Sequence, residues 1–311
     1  MKPIIFITGV AGFIGSNLAD ALLREGYQVI GVDDLSSGVR EQIPQDVDFR
    51  ELDIRTTSLR KLIPSGSIIF HLAAKNCISD CHNNPVDAAS VNVVGTVNVF
   101  QAALEAKAKK IIYAESSALY EGSDCFPTPE SEVFPISIYA ISKLAGRSFA
   151  KTYQNFHKLK TTALRYFCVY GPRQDYRRTV PPVMSAFILK LMRGHQPVIY
   201  GTGEKRRDFI HVDDVNVFHI QCLNDPKTDG GTFNLGSGVN YSIRDIYNFV
   251  AALLQTDISP RFEPDLIGEA QESLADISRA RALGWIPEIS LEEGLRRFVD
   301  YYRAMNISLN L

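Results

Sequence analysis

The sequence lacks several features that would place it in a specialised class of protein. It has no run of eighteen apolar residues, so no transmembrane helix is predicted, and residues 1–2 lead directly into a strand pattern rather than a signal peptide. Its formal net charge of -2 excludes the basic bias of proteins that bind nucleic acid or anionic membranes. Repeats and low-complexity tracts are absent from the sequence. We therefore expect neither nucleic acid nor membrane as a partner.

Cysteine is scarce and does not form a framework. The five cysteines are an odd number without scaffold-like spacing, which predicts free thiols in a reducing compartment and hence a cytoplasmic protein. Cys77, Cys81 and His82 are close enough in sequence to suggest a metal site. Other soft ligands are too scattered to complete a tetrahedral set, so no metal is predicted.

The N-terminal residues have the order strand, glycines, helix. Residues 3–8 are a continuous apolar run, as expected of a parallel strand that is buried on both faces. Gly9, Gly12 and Gly15 follow, and residues 13–23 have a helical period that ends near Gly26. This order lets backbone approach a pyrophosphate and turns a helix N-terminus toward its charge. A βαβ unit that binds nothing is the alternative.

Asp33 favours one dinucleotide over another. It follows a second strand at residues 28–32 and lies eighteen residues beyond Gly15. A carboxylate at this place hydrogen-bonds the adenosine ribose diol and repels a 2′-phosphate. The sequence therefore predicts NAD rather than NADP.

Strands and helices alternate over the first 170 residues. Further strands are predicted at 47–52, 67–71, 110–114 and 160–167, and helices at 85–106, with Asn84 as N-cap, and at 138–158. Beyond residue 170 the pattern loosens, with helices at 184–193 and 242–254 and a capping box, Ser290 to Glu293, before a helix at 291–303. We predict an α/β fold with a doubly wound parallel (Rossmann) sheet in residues 1–170. Residues 171–311 are mainly a smaller α/β substrate lobe, with some elements returning to the first domain.

Tyr139 and Lys143 are the candidate reactive pair. Four residues apart on a helix, they share one face, and Ser116 follows the strand at 110–114, at the edge of a parallel sheet where ligands bind. A nearby ammonium favours phenolate, so Lys143 is predicted to lower the pKa of Tyr139. Alone, the pair is equally compatible with an ordinary helix surface.

Many short motifs together resemble one family, the extended short-chain dehydrogenase/reductases. Within it the chain is most similar to the nucleotide-sugar epimerase/dehydratase group, and most of all to UDP-glucose and UDP-N-acetylglucosamine 4-epimerases. The likeness spans nearly the whole chain. The motifs are Gly9-x-x-Gly12-x-x-Gly15, Asp33, Asp53-Ile54, His71-Leu72-Ala73-Ala74, Asn92-x-x-Gly95-Thr96, Ser116, Tyr139-x-x-x-Lys143, Arg165-Tyr166-Phe167 and Arg207-Asp208-Phe209.

The resemblance implies NAD-dependent 4-epimerisation of a UDP-hexose through a transient 4-keto sugar, in carbohydrate metabolism or polysaccharide biosynthesis. Tyr139 would act as base and acid, Lys143 would lower its pKa and hold the nicotinamide ribose, and Ser116 would hydrogen-bond the reacting oxygen. Implied cofactor contacts are Gly9, Gly12, Phe13, Ile14, Gly15, Asp33, Asp34, Asp53, Ile54, Leu72, Ala73, Ala74, Asn92, Tyr139, Lys143 and Tyr166. Implied substrate contacts are Ser116, Ser117, Tyr139, Cys168, Val180, Tyr200, Arg207 and Ser273.

Departures from the family pattern leave alternatives open. The dehydratases of the group have an Asp-Glu pair after the serine, where this chain has Ser117 and Ala118, and Ala118 equally disfavours decarboxylases. Cys168 and Leu266 replace an Asn and an Arg that hold the diphosphate; Arg173, Arg177 and Arg178 are candidates to compensate. Another nucleotide-sugar oxidoreductase, decarboxylase or dehydratase is the second hypothesis, and a non-catalytic NAD-binding regulatory protein the third.

Two further expectations come from the resemblance. The helices at 85–106 and 138–158 pair in family dimers, so a homodimer is expected. Ser273 lies two residues before the pair Ala275-Asp276, where a bulky aromatic would exclude a sugar N-acetyl group. We therefore predict that plain and N-acetylated UDP-hexoses both enter.

Overall fold

The computed structural model describes residues 2–178, 180–265 and 270–305, and a parallel β-sheet lies at its centre. The strands are β1 (Ile5–Thr8), β2 (Val29–Asp33), β3 (Asp48–Glu51), β4 (Ile68–His71), β5 (Lys110–Ser116), β6 (Thr161–Tyr166), β7 (Cys168–Tyr170), β8 (Val198–Tyr200), β9 (Arg206–His211), β10 (Thr232–Leu235), β11 (Asn240–Ser242) and β12 (Arg261–Glu263). The main sheet has the order β10-β6-β5-β4-β1-β2-β3, and every pairing in it is parallel. Smaller sheets have the orders β11-β9-β7 and β12-β8.

Helices cover both faces of the main sheet. They are α1 (Phe13–Arg24), α2 (Leu59–Leu62), α3 (Ile78–Asn83), α4 (Pro85–Ala89), α5 (Thr96–Glu105), α6 (Ile138–His157), α7 (Val183–Met192), α8 (Val212–Asn224), α9 (Ile243–Leu254), α10 (Ser278–Arg281) and α11 (Leu291–Ala304). A π-helical segment, Ser90–Gly95, joins α4 to α5.

Two apolar layers hold this arrangement together. On one face of the sheet, Leu18 and Leu22 of α1 pack with Phe218 of α8, and all three are fully buried. On the other face, Phe100 of α5 packs against Tyr153 of α6, with the two rings stacked and their centroids 5.5 Å apart. Because both faces of the sheet are covered, its central strands are mainly apolar, as the buried run Ile5 to Ile7 of β1 shows.

The predicted fold class is confirmed: a doubly wound parallel sheet is present. The six strands predicted before residue 170 all occur within two residues of their expected bounds, and α6 begins and ends where the sequence predicts it. Asn84 caps α4 as predicted, since its side chain accepts a hydrogen bond from the Asp87 amide.

Two predicted helical features differ in the structure. The predicted helix at 85–106 is interrupted by the π-helical turn at Ser90–Gly95, for which the amino-acid pattern gives no signal. Ser290 accepts the Glu293 amide as predicted, but the Glu293 carboxylate reaches Arg297 at 2.9 Å instead of completing a capping box. An arginine one turn further along the helix is a charged partner for the carboxylate, and it is the contact the side chain makes here.

The sequence interpretation missed most elements after residue 170. β9 and α8 form a continuous strand and helix in the region read as loosely patterned, and β10 pairs with β6 at the edge of the main sheet. The N-cap of α8 is His211, which is outside the usual Ser, Thr, Asp and Asn set, so Asp213 and Asp214 in the first turn are the signal that marks the start of this helix. In the described ranges, no helix is long and apolar enough to cross a membrane.

Candidate active site

A large cleft, with a volume of about 1330 Å³, opens at the carboxyl ends of the central strands. One wall is formed by the loops after β1, β2, β4 and β5, and the other by residues that follow β6. In an open parallel sheet this edge is where ligands bind. Apart from Asn92, every predicted cofactor or substrate residue lines the cleft.

The glycine turn after β1 brings backbone unusually close to backbone. Gly9 has a φ of +78°, and a Cβ on it would lie 2.7 Å from the backbone nitrogen of Ala73. A Cβ on Gly15 would lie 2.1 Å from the carbonyl oxygen of Gly9, so only glycine lets α1 start directly against β1. Gly12 is the N-cap of α1 and has no side chain to occupy its first amides. The helix N-terminus is therefore open toward an anion in the cleft.

Asp33 is held rigidly at the end of β2. Its carboxylate accepts hydrogen bonds from the amides of Ala11, at 3.0 Å, and Leu35, at 2.9 Å. Burial raises the pKa of this carboxyl, while the two amide bonds act in the opposite direction. Asp34 is turned into the following loop, where it accepts the Ser36 amide at 3.0 Å.

Asp53 and Ile54 also line the cleft, on the wall that carries Asp33. The Asp53 carboxylate accepts hydrogen bonds from the side chain and the amide of Arg55, which hold its pKa below the usual range. Ile54 is buried against Gly95, where a Cβ would lie 2.7 Å from the isoleucine Cδ1. Asp53 therefore lines the cleft with a side chain that is ion-paired with Arg55.

Ser116, Tyr139 and Lys143 come together in the cleft. Ser116 ends β5 and hydrogen-bonds the Tyr139 phenol, and its Oγ also accepts the Ala118 amide at 3.1 Å. Tyr139 and Lys143 lie one turn apart on α6, with the lysine Nζ 6.0 Å from the centroid of the tyrosine ring. Lys143 Nζ donates to the carbonyl oxygen of Ala114 at 3.2 Å. A strand end and a helix therefore place three proton-bearing groups at one point.

In the protein chain without a cofactor, the pKa of the Tyr139 phenol lies above its ordinary value, and the effect predicted for Lys143 together with an oxidised nicotinamide stays a prediction. Burial raises the pKa of the Tyr139 phenol to about 12, and the hydrogen bond with Ser116 opposes that rise. Burial also lowers the pKa of Lys143 to about 8. Tyr139 packs in an apolar cluster with Cys81 and Ala88, and the loss of hydration there is the largest cause of the raised pKa.

A buried ion pair supports the strand that carries Ser116. Arg165 of β6 donates to the Glu115 carboxylate at 2.6 Å, and both side chains are fully buried. The same guanidinium donates to the Tyr120 hydroxyl at 2.7 Å and to the Glu130 carbonyl at 2.9 Å. Removing one partner would leave a buried charge unpaired, which makes this cluster a fixed support rather than a mobile group.

The opposite wall carries the predicted substrate residues Cys168, Val180, Tyr200, Arg207 and Ser273. The predicted substrate residue Ser117 lies on the first wall. Arg207 donates to the carbonyl oxygen of Arg206 at 2.9 Å, which leaves further guanidinium donors for a ligand. Ser273 Oγ accepts the Asp208 amide at 3.4 Å. Leu266, the position of the replaced family arginine, lies outside the described residues.

Two predicted cofactor residues have other contacts. Asn92 does not line the cleft: it accepts the Lys75 amide at 2.8 Å and donates to the Lys75 carbonyl and to Ser142 Oγ, both at 2.9 Å. It therefore ties the loop after β4 to α6, and its direct contact with the cofactor stays a prediction. Tyr166 lines the cleft with its ring, while its hydroxyl bonds His219 Nε2 at 2.7 Å.

The cations proposed to compensate have protein partners. Arg173 pairs with Asp20 and donates to the Ser16 carbonyl at 2.9 Å, and Arg177 pairs with Asp175 at 3.0 Å. Arg178 lies 3.6 Å from the Asp175 carboxylate. Within the residues that the structure describes, no group of three or more His, Cys, Asp or Glu side chains could hold a metal ion.

Comparison with known proteins gives this cleft a context. Residues 5–236 match the NAD dependent epimerase/dehydratase family. A UDP-glucose 4-epimerase of Mycolicibacterium smegmatis is 36% identical over 307 residues, which cover 96% of this chain and 97% of that protein. The chain belongs to the NAD dependent epimerase/dehydratase family.

Solved structures of family members have the same fold. A UDP-glucose 4-epimerase of Thermotoga maritima with UDP-glucose is 34% identical, with a TM-score of 0.93 and coverage of 97% of this chain and 99% of that one. A UDP-N-acetylglucosamine 4-epimerase of Methanobrevibacter ruminantium, in complex with UDP-N-acetylmuramic acid, is 31% identical, with a TM-score of 0.93 and coverage of 98% and 100%.

The cofactor of this family is NAD, and the first wall of the cleft fits it. The glycine turn leaves a backbone cradle that any Cβ on Gly9 or Gly15 would fill, and the uncapped start of α1 suits a pyrophosphate. The fixed Asp33 carboxylate suits a ribose diol and opposes a 2′-phosphate.

Two kinds of residue that line the cleft were not predicted from the sequence. Lys205 lines the cleft two residues before Arg207. Alternation of side chains, extended back along the strand from the Arg207 motif, could have identified it. Thr128 and Phe187 also line it, but they come from a loop and from α7 and carry no local motif.

Proposed function

We propose that the protein is an NAD-dependent 4-epimerase of UDP-hexoses. The observation that carries the proposal is the convergence of Ser116, Tyr139 and Lys143 in a cleft whose other wall presents Arg207. This convergence places a group that can transfer protons on the same wall of the cleft as the glycine turn that would hold the cofactor. Arg207 supplies a planar cation for an anionic ligand on the facing wall.

The chain's own residues have distinct roles in this reaction. As the phenolate, Tyr139 Oη takes the proton of the sugar 4-hydroxyl and later returns it, while Ser116 Oγ hydrogen-bonds the reacting oxygen. Lys143, held on the Ala114 carbonyl, keeps its amine beside the phenol and orients the nicotinamide ribose. When bound, NAD supplies the hydride acceptor and donor and, in its oxidised form, a positive charge. Positioned proton transfer of this kind typically contributes about 10²–10⁴-fold.

Ala118 supports epimerisation over elimination or decarboxylation. It lines the cleft directly after Ser117, and its methyl group cannot transfer a proton. The resembled dehydratases and decarboxylases have an acidic side chain near this point of the site. A 4-keto sugar formed here therefore has no acid at position 118 for elimination or decarboxylation, which favours its return as an alcohol.

The two parts of the chain divide the work. We propose that residues 1–170 hold NAD and the reactive Ser116, Tyr139 and Lys143, and that residues 171–311 mainly hold the nucleotide sugar. Arg207 and Ser273 support this division, since both lie beyond residue 170 and line the cleft opposite the glycine turn.

We also propose that the enzyme is a homodimer in the cytoplasm. Val86 and Val94 on the α4–α5 unit are 79% and 59% exposed, and Ile141 and Phe149 on α6 are 53% and 39% exposed. The two helical units contact each other, and their exposed apolar side chains support an interface with a second copy of the chain. The five free cysteines support a reducing compartment.

The proposal is tested by incubating the purified protein with UDP-glucose, UDP-N-acetylglucosamine and UDP-glucuronate in turn. A 4-epimer without net NAD reduction is expected from at least one of the first two. Release of carbon dioxide or water would instead identify a decarboxylase or dehydratase. NAD binding without any turnover would identify a regulatory protein.

A further inference from the structure

Lys205 and Arg207 share one face of the strand that borders the substrate wall. Lys205 extends β9 by one residue, because its carbonyl accepts the Ile243 amide at 3.0 Å next to the β9–β11 pairing. Side chains alternate along a strand, so residues 205 and 207 point to the same side. Both line the cleft. Arg206 points to the other side, where it donates to the side chain and the carbonyl of Asn240 at 2.9 Å.

The Lys205 ammonium is ion-paired with a carboxylate that faces solvent. Its Nζ is 2.9 Å from Asp265 Oδ1, and the lysine side chain is only 6% exposed whereas the aspartate is 55% exposed. Asp265 lies over the Gly201 turn, where a Cβ would be 2.0 Å from the same Oδ1. The lysine is therefore fixed in the protein and the carboxylate faces solvent at the cleft.

We propose that Lys205 is the second cation of the diphosphate site and exchanges the Asp265 carboxylate for the diphosphate of the substrate. The inference rests on the proposed nucleotide-sugar substrate. Because the Asp265 side chain is 55% exposed, water can solvate its carboxylate once the diphosphate has taken its place at Lys205. Residues two apart on a strand are about 7 Å apart, which lets two long cationic side chains reach one diphosphate.

This role resolves a difficulty in the sequence. Cys168 and Leu266 occupy positions where the resembled family has an Asn and an Arg for the diphosphate. The planar fork of Arg207 and the compact ammonium of Lys205 together restore two cations on that wall.

The test is calorimetric titration of the NAD-loaded protein with UDP and, separately, with uridine. Lys205→Gln should weaken UDP binding by about tenfold or more, since a charge-assisted contact is lost, and change uridine binding by less than about twofold. Lys205→Arg should retain UDP binding. Asp265→Asn should tighten UDP binding, because it removes the competing carboxylate.

Arg206→Gln is the matched control, one residue away on the opposite face, and should leave both ligands unaffected. Equal weakening of UDP and uridine by Lys205→Gln would overturn the proposal, because it would identify the ion pair as a structural contact. So would unchanged UDP binding, or a loss of UDP binding in Asp265→Asn. Epimerisation by the unaltered protein is a separate measurement, so failure here is distinguishable from failure of the proposed function.

Discussion

Tyr139 combines a reactive hydroxyl with apolar surroundings. Its phenol has a pKa raised to about 12 by burial, so at neutral pH it is protonated in the chain itself. Such a group is protected from solvent, and Ser116 and Lys143 are the polar groups that reach it from β5 and from the next turn of α6. The balance of charges around this one hydroxyl decides whether it can accept a proton.

Tyr139→Phe should reduce turnover by about 10²–10⁴-fold and leave NAD binding intact, because it removes the transferable proton and conserves the ring. Tyr153→Phe is the matched control on the same helix: its hydroxyl bonds Gln101 at 3.0 Å, away from the cleft. Turnover and NAD affinity are measured for both variants. A Tyr139→Phe enzyme with an unchanged rate would exclude the phenol from the reaction.

Ser273→Tyr should reduce kcat/KM for UDP-N-acetylglucosamine much more than for UDP-glucose. Ser273 lines the substrate wall, and overpacking a formed pocket costs about 1–3 kcal/mol, or roughly 5- to 150-fold. The two substrates serve as controls for each other in parallel assays. Equal losses would show that Ser273 does not lie at the sugar 2-position.

The reactive residues could be predicted because each stands in a short motif with a chemical reason for its spacing. Gly9 and Gly15 are required by backbone contact, and Tyr139 and Lys143 by one helical turn. The sign of the pKa shift at Tyr139 could not be predicted, since it depends on the packing of Cys81 and Ala88 from distant helices. Lys205 could have been identified from its place two residues before Arg207, whereas its ion pair with Asp265, sixty residues away, could not.

At the level of elements, the sequence predicted best where one strand pattern leads directly into one helix pattern. β1 and α1 are marked by an apolar run, glycines and a 3.6-residue period. β9 has buried Asp208 and His211 among its six residues, so its pattern resembles that of a surface segment. Asp208 is stabilised there by amides of Ser237, Gly238 and Ala275, contacts that the local sequence does not reveal.

The apolar faces of the α4–α5 unit and α6 predict how the protein assembles. Ile141→Glu should convert a dimer into a monomer, because a charge on the buried interface is costly to desolvate. Phe262→Glu is the control, since Phe262 is 49% exposed on β12 in a different sheet. Sedimentation at micromolar concentration measures both. A monomer of 34.6 kDa for the unaltered chain would contradict the proposed dimer.

For the whole molecule, two buried histidines predict acid lability. Burial lowers the pKa of His71 and of His219 to about 3, against about 6.5 in an unfolded chain. Between those values the unfolded chain binds more protons, so the free energy of unfolding decreases as pH falls below about 6.5 and is unaffected above it. At pH 5 each histidine should cost about 2 kcal/mol.

Denaturant titrations at pH 7.5 and pH 5 measure this dependence. His219→Gln should reduce the loss between the two pH values, because glutamine does not titrate. His195→Gln, on the exposed residue after α7, should keep the loss seen in the unaltered chain. An identical loss in His219→Gln and the unaltered chain would assign the acid sensitivity to other groups.

In the proposed reaction, the hydride removed from C4 of the sugar returns to C4 without exchange with solvent. This property distinguishes the proposed epimerase from other chemistry in the same cleft. The most direct measurement uses UDP-glucose carrying deuterium at C4, incubated with the protein in ordinary water, and determines the isotope at C4 of the 4-epimer by NMR. Deuterium retained at the inverted C4 is predicted, since Tyr139 exchanges only the hydroxyl proton. Hydrogen from solvent at C4 of the product would contradict it.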